Sequence, residues 1–346
     1  MKISTQLRYD VSPAEVAQQA VDLEAAGLDL IWVAEAYGVD AVSIMGYLAA
    51  VTERVEIASG ILPLYTRTPT LLAMTAAGVD ALSGGRCVLG LGASGPQVIE
   101  GFHGVSYDKP LTRTREIIEI CRQVWKRERV EFSGKAYAIP LPEGQGTGLG
   151  KPLKLITHPV RNRIPIHVAA LGPKNVELTA EIADGWLPLF YLPEKAEDVW
   201  GDDLARGAAK RSDDLDPLEV VAGGLVAIGP TAEVKGFRDF ARPMVALYVG
   251  GMGARGKNFY NDLVCRYGFE KEAKEIQDLY LDGKKKEAEA AVPTELLELG
   301  NLVGPASYVK ERIAAFKEAG VTNLQITPAA EDPVALVARM RELVDA

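Results

Sequence analysis

The residues best suited to chemistry in this chain are few and unusually placed. The stretch VLGLGASG puts glycines at 90, 92 and 95, the G-x-G-x-x-G spacing of a dinucleotide-binding turn. In that fold the turn follows the first strand, opens a helix and is followed about 20 residues later by a strand-end acid. Here the turn follows the fourth candidate strand, Pro96 falls where the helix should already run, and LTRTREIIEI lies where the acid is needed. That stretch is helical, so Glu116 and Glu119 are not strand-end acids, and the dinucleotide reading fails. The glycines read instead as bare backbone at a strand end, where a flat or anionic ligand can approach the main chain. For Gly90 the competing cause is relief of crowding between strands.

Other reactive groups are equally sparse. His103, His158 and His167 lack the close pairing of a zinc motif, and Cys87, Cys121 and Cys265 are far apart and odd in number. No metal site or disulfide framework is expected, and free thiols fit a reducing cytoplasm. A net charge of −9 disfavours a nucleic-acid-binding surface. MKISTQLRYD has no apolar core of a secretion signal, and no run reaches the ~18 apolar residues of a membrane span. The expectation is a cytoplasmic protein that acts on a small molecule.

The elements that must position these residues alternate regularly. Apolar strands are expected at 2–7, 28–35, 55–64, 87–94, 164–171, 185–190, 218–228 and 321–327. The first leads into QLRYD, without glycine. Helices stand between them, with Ser12-Pro13 opening the first and Gly304-Pro305 opening one of the last. Near-continuous apolar strands with intervening helices predict parallel βαβ units. Eight of them predict a (β/α)8 TIM barrel forming one domain over 1–346. It carries a Gly/Pro-rich insertion after strand four (about 128–163) and a helical insertion after strand seven (about 231–303).

In such a barrel the site gathers where the strands end. Those ends are Glu35-Ala36-Tyr37; Ser59-Gly60-Ile61, with Tyr65 and Arg67 beyond; Gly92-Ala93-Ser94-Gly95-Pro96-Gln97; Ala169-Ala170-Leu171-Gly172-Pro173-Lys174; and Asp184-Gly185-Trp186. Small residues, amides and hydroxyls dominate, with no evident nucleophile–base pair, which suits a large planar cofactor that does its own chemistry. Gly172-Pro173 opens a helix whose free N–H groups could bind phosphate, with Lys174 adding charge. A plain strand-to-helix turn is the alternative.

LDLIWVAEAY, IASGILPLYTRTP, LGLGASGPQVIEGFHG and HVAALGPKNVELTAEIADGWLP resemble the luciferase-like monooxygenase superfamily. Within it they are most similar to the coenzyme F420-dependent oxidoreductases of actinobacteria and methanogens. ALYVGGMGARGKNFYNDLVCRYG and LLELGNLVGP resemble the same branch. The resemblance implies a TIM barrel, often a homodimer, with a non-prolyl cis peptide near Gly60-Ile61 behind the deazaflavin ring. It implies that Glu35, Ser59, Ile61, Ser94 and Gln97 line the ring and that Gly172 and Pro173 hold the phosphate. Gly60, Gly92, Ala93, Ala170 and Leu171 complete the expected cofactor-binding set. Several relatives carry a histidine directly after the strand-two acid; here Ala36 stands there, so a glucose-6-phosphate specialisation is not expected.

The activity implied is F420-dependent hydride transfer to or from a carbonyl, an alcohol or an activated C=C bond. Two alternatives stay open: an FMN-dependent monooxygenase working with a partner reductase, and a non-catalytic flavin-binding protein. A proton must accompany the hydride. His103, in the loop after strand four, is the first candidate for handling it, and Glu35 the second. Trp32 reads as barrel core, Trp186 as a possible pocket wall, His167 as a satisfied core residue, and 248–267 as a lid or a dimer contact.

Overall fold

The computed structural model describes residues 1–7 and 12–346; the Arg8–Asp10 continuation of the first strand lies outside the described residues. Eight barrel strands follow in chain order: β1 (Lys2–Gln6), β2 (Leu30–Val33), β3 (Glu56–Ser59), β4 (Cys87–Gly92), β5 (Ile166–Ala169), β6 (Gly185–Leu187), β7 (Glu219–Ala222) and β8 (Asn323–Pro328). Each pairs in parallel with the next, and β1 pairs with β8 from Lys2↔Asn323 to Thr5↔Ile326, which closes the barrel. The outer helices are α1 (Pro13–Ala25), α2 (Ala41–Val51), α3 (Pro69–Leu82), α4 (Pro110–Trp125), α5 (Pro173–Ile182), α6 (Pro193–Ala208), α7 (Ala306–Glu318) and α8 (Pro333–Asp345). This is the (β/α)8 architecture that the alternation predicts.

Local sequence sets where the helices start. Ser12 and Glu15 form a capping box ahead of α1, with Pro13 in its first turn. Asp40, Thr68 and Asp332 accept the first free N–H groups of α2, α3 and α8. Each cap lies just after a strand, so the capped turns define the face at which the strands end. Leu30, Trp32, Ala58, Val88 and Val221 fill the barrel interior. The alternate strand residues, such as Ile31, Ile57, Leu89 and Val168, pack outward against the helices.

Strand seven differs from its expected form. It was expected to be continuous over 218–228, but it breaks at Gly223-Gly224. Its second half, Leu225–Ile228, leaves the barrel to pair with Leu302–Gly304 and with the end of β8. The segment after α4 carries a short hairpin, Phe132–Ser133 against Ala138–Ile139. Its turn is held by the Glu116 carboxylate, which accepts from the N–H groups of Lys135 (2.6 Å), Ala136 and Tyr137. The chain between the second half of strand seven and Leu302 is a series of short helices, with a π-helical turn at Leu247–Gly251. Among the described residues no helix is long and apolar enough to cross a membrane.

Candidate functional site

The floor of the site is made where β3 and β4 end. Ser59 is fully buried, and its hydroxyl donates to the Gly90 carbonyl (2.8 Å) and accepts from the Gly90 N–H (2.9 Å). A Cβ on Gly90 would stand 1.8 Å from the Ser59 carbonyl oxygen, so this glycine is required by strand contact. Beyond Ser59 the Gly60–Ile61 peptide is cis, at the position that the family resemblance implies. Leu62 and Pro63 then rejoin the sheet beside Leu91 and Gly92. Ile61 packs over Gly92: a Cβ there would meet the Ile61 side chain at 3.0 Å and the Ala169 methyl at 3.3 Å. Gly92 thus keeps a flat patch between Ile61 and Ala169, and Trp32 supports Gly60 from the barrel interior.

Glu35 and Arg67 brace this floor. The guanidinium meets the two carboxylate oxygens at 2.5 and 2.9 Å, and Glu35 also accepts from the Ala41 N–H at 3.1 Å. Arg67 reaches Asp40, the α2 cap, at 2.7 Å. The pair ties the β2–α2 turn to the loop that carries Gly60-Ile61, and both side chains are nearly buried (10% and 13% exposed). Arg67 therefore ties the loop to neighbouring acids.

The loop after β4 forms one wall. Ser94 is exposed and left-handed (φ 58°), and Gln97 is exposed on the short helix Pro96–Ile99. His103 is half-buried, its ring edge-on to Phe102, and its Nε2 has no hydrogen-bond partner among the described residues. Exposed Phe102 in turn meets exposed Tyr37 across the mouth, ring centroids 6.2 Å apart. Tyr107 leans back over the end of β4, its hydroxyl 3.4 Å from the Ser94 carbonyl. Burial pushes its phenol above the usual range.

The end of β5 supplies the opposite corner. Trp186 donates to the Ala170 carbonyl (2.9 Å) and Trp200 to that of Leu171 (3.2 Å). Trp186 is fully buried behind the strand and stacks edge-on against Trp200, so it does not wall the pocket as expected. Gly172 and Pro173 open α5 with no side-chain cap, and the Phe259 ring lies 3.9 Å from where a Cβ on Gly172 would stand. Lys174 instead lines a groove on the outer wall between α4 and α5, beside Arg115 and Glu177. Asn175, which sequence reasoning missed, keeps a buried Oδ1 with no partner among the described residues.

The last wall comes from the helical insertion. Asn258 is buried and caps its helix, while its amide donates to the Tyr248 and Val249 carbonyls. That clamp presents Tyr248 and Tyr260 edge-on to each other (4.7 Å) and to Phe190 beyond β6. Inside the barrel His167 is buried as expected but not satisfied: its Nδ1 has no partner among the described residues, and burial holds its pKa below the usual value. His158 lies in an exposed loop beside Arg127.

Ile61, Gly92 and Ala169 make a small apolar patch where β3, β4 and β5 end, while Ala170 turns away and packs with the outer helices, against its expected place beside the ring. An uncapped helix start at 172–173 and an orphaned Asn175 oxygen flank it. These features fit a planar cofactor bearing a phosphate. They describe a barrel whose strand ends could hold such a group. The chain belongs to the luciferase-like monooxygenase family, whose profile matches residues 1–323. A Mycobacterium tuberculosis protein bearing the name coenzyme F420-dependent oxidoreductase is 43% identical over 340 residues, 96% of this chain and 97% of that one. The 5,10-methylenetetrahydromethanopterin reductase of Archaeoglobus fulgidus is 28% identical over 94% of this chain and 92% of its own length. Among solved structures, the coenzyme F420-dependent tetrahydromethanopterin reductase of Methanopyrus kandleri superposes with a TM-score of 0.81 at 21% identity, covering 99% of this chain and 98% of that one.

Proposed function

We propose that this protein is an F420-dependent oxidoreductase that moves a hydride between the deazaflavin and a small organic molecule with a carbonyl, alcohol or activated C=C bond. The observation that carries the reading is the flat floor at Ile61, Gly92 and Ala169 beside the uncapped start of α5. The near-full-length similarity to the mycobacterial relative supports the choice of F420. When bound, the cofactor supplies or accepts the hydride. Ile61, Gly92 and Ala169 would hold its ring flat, with Ser94 and Gln97 at the edge. Gly172 and Pro173 would present the α5 N–H groups to its phosphate.

Glu35 braces the Ile61 loop in this reading, because both its oxygens are taken by Arg67. His103 keeps an unpartnered ring nitrogen and is the group proposed to exchange a proton with substrate oxygen. Phe259, over Gly172, would cover the α5 end of the site. We assign the protein to the cytoplasm on its three free thiols. We further propose a homodimer through α2 and α3, which contain a single charged residue, buried Asp80, and expose Tyr47, Leu71, Met74 and Leu82.

The test is side-by-side binding of F420 and FMN to the purified protein by fluorescence quenching. Preference for F420, followed by oxidation of reduced F420 with a panel of ketones and enones, is the expected result. Preference for FMN would move the assignment to an oxygen-dependent monooxygenase with a partner reductase.

A further inference from the structure

Two large rings at the mouth are left unburied by the fold. Tyr37 is 71% exposed and Phe102 65% exposed, yet they meet each other, ring centroids 6.2 Å apart and tilted by 55°. Tyr37 rises from the turn after β2 and Phe102 from the loop after β4. β3 lies between those strands in the sheet, so the contact spans the end of β3, where Ile61 stands. From Phe102 the row continues inward: the His103 ring is edge-on to it at 5.1 Å, with a buried Nε2 that has no partner among the described residues. Both rings are held in place. The N–H groups of Phe102 and His103 bond the Val98 carbonyl, Gly104 turns left-handed (φ 66°), and the Val105 N–H returns to the Ile99 carbonyl. Tyr37 follows two residues after Glu35, which Arg67 ties down. Charge is scarce here. Residues 36–39 and 93–105 contain no lysine or arginine, and their one acid, Glu100, accepts from the Tyr107 N–H at 3.1 Å.

We propose that Tyr37 and Phe102 form an aromatic clamp for the apolar body of the substrate, which places the substrate's oxygen at His103. The substrate is then a neutral molecule with an aryl or bulky alkyl group beside its carbonyl or hydroxyl. The inference rests on the hydride-transfer reading of the barrel mouth and names the class of molecule that the mouth takes. An apolar group seated on the two rings removes from water surface that the fold leaves exposed; about 60–90 Å² of it is worth roughly 10- to 50-fold in affinity. Rings already fixed by their loops lose little freedom when the substrate arrives. A phosphate or carboxylate on the substrate would find no lysine or arginine on these two loops, and Arg67 below them is taken by Glu35 and Asp40.

The probe is prodan, a neutral naphthyl ketone whose emission shifts to the blue in apolar surroundings and which needs no turnover, titrated into the protein with and without F420. Wild type should bind it with a blue shift, and acetophenone should displace it at a concentration about tenfold or more below that of the anionic ketone pyruvate. Tyr37→Ala and Phe102→Ala remove exposed rings, so both should fold. Each should weaken prodan binding roughly 10- to 50-fold while F420 quenching is unchanged. Ile156→Ala trims a 95% exposed side chain in the insertion after α4 and should change nothing, which controls for adsorption to any apolar surface. No blue-shifted binding by wild type, wild-type binding by both clamp variants, equal weakening in Ile156→Ala, or displacement by pyruvate first overturns the clamp. Loss of F420 affinity in either clamp variant also overturns it, since the rings would then hold the cofactor. So does a fall in sedimenting mass with prodan binding intact, since the rings would then seat a second copy of the chain. If wild type fails to bind F420, the proposed function falls, and the prodan titration of the F420-free protein still decides the clamp.

Discussion

Removing Glu35 separates a brace from a proton donor. Its carboxylate lies 2.5 and 2.9 Å from the Arg67 guanidinium, and the two side chains are only 10% and 13% exposed. At an effective dielectric of about 20 and about 4 Å between charge centres, the attraction is roughly 4 kcal/mol. Desolvation offsets part of it, and Arg67 keeps the more exposed Asp40 as a second partner. A coupling of about 2–3 kcal/mol remains. Glu35→Ala and Arg67→Ala should each cost about 3 kcal/mol, and the double variant little more than either alone. For 346 residues the unfolding entropy is roughly 0.7 kcal/mol per kelvin, so each single change lowers the thermal midpoint by about 4 °C. The assay is a double-mutant cycle by urea unfolding with F420 quenching in parallel. The apolar pair Glu35→Leu with Arg67→Met should regain most of the stability. Additivity within about 0.5 kcal/mol refutes the brace. Retained stability with a 10²- to 10⁴-fold loss of turnover in Glu35→Gln would return Glu35 to the role of acid or base.

Three more outcomes follow from the geometry. Gly90→Ala places a Cβ 1.8 Å from a carbonyl oxygen and should unfold the protein or leave it insoluble, while Gly92→Ala only nudges Ile61 at 3.0 Å, and should fold normally with about tenfold weaker F420 binding; equal solubility of the two would contradict this. Burial lowers the His167 pKa, so between its folded value and about 6.5 the unfolded chain binds the extra proton. Stability therefore falls as pH drops below about 6.5, by at most about 1.4 kcal/mol per pH unit, and His167→Gln should flatten that slope in urea titrations. Met74→Glu puts a charge on the exposed uncharged face of α3 and should convert a dimer to a monomer in sedimentation; a wild-type monomer would remove the dimer proposal.

The barrel was legible because its strands are short apolar runs and its helices begin at Ser12, Asp40, Thr68 and Asp332, all readable within a few residues. The floor was legible in part: Ile61 and Gly92 are among the expected residues, but the β5 residue beside them is Ala169 and not the expected Ala170, because a one-residue shift along a strand reverses which side a side chain faces. The walls were not. Arg67 meets an acid 32 residues away, and Tyr260 meets Phe190 from an insertion with no strand period to count. Trp186 shows how packing decides what composition leaves open. Its strand is three residues long, and either phase was possible from GWL alone. Inside the barrel, though, the His167 ring fills the space at Gly185, where a Cβ would lie 2.6 Å from it. Only glycine fits there, so the next residue must face the helices, and its indole holds Ala170 from behind. A buried histidine on one strand thereby sets which side of the next strand carries the tryptophan, and so the carbonyl that steadies the β5 end of the candidate cofactor site.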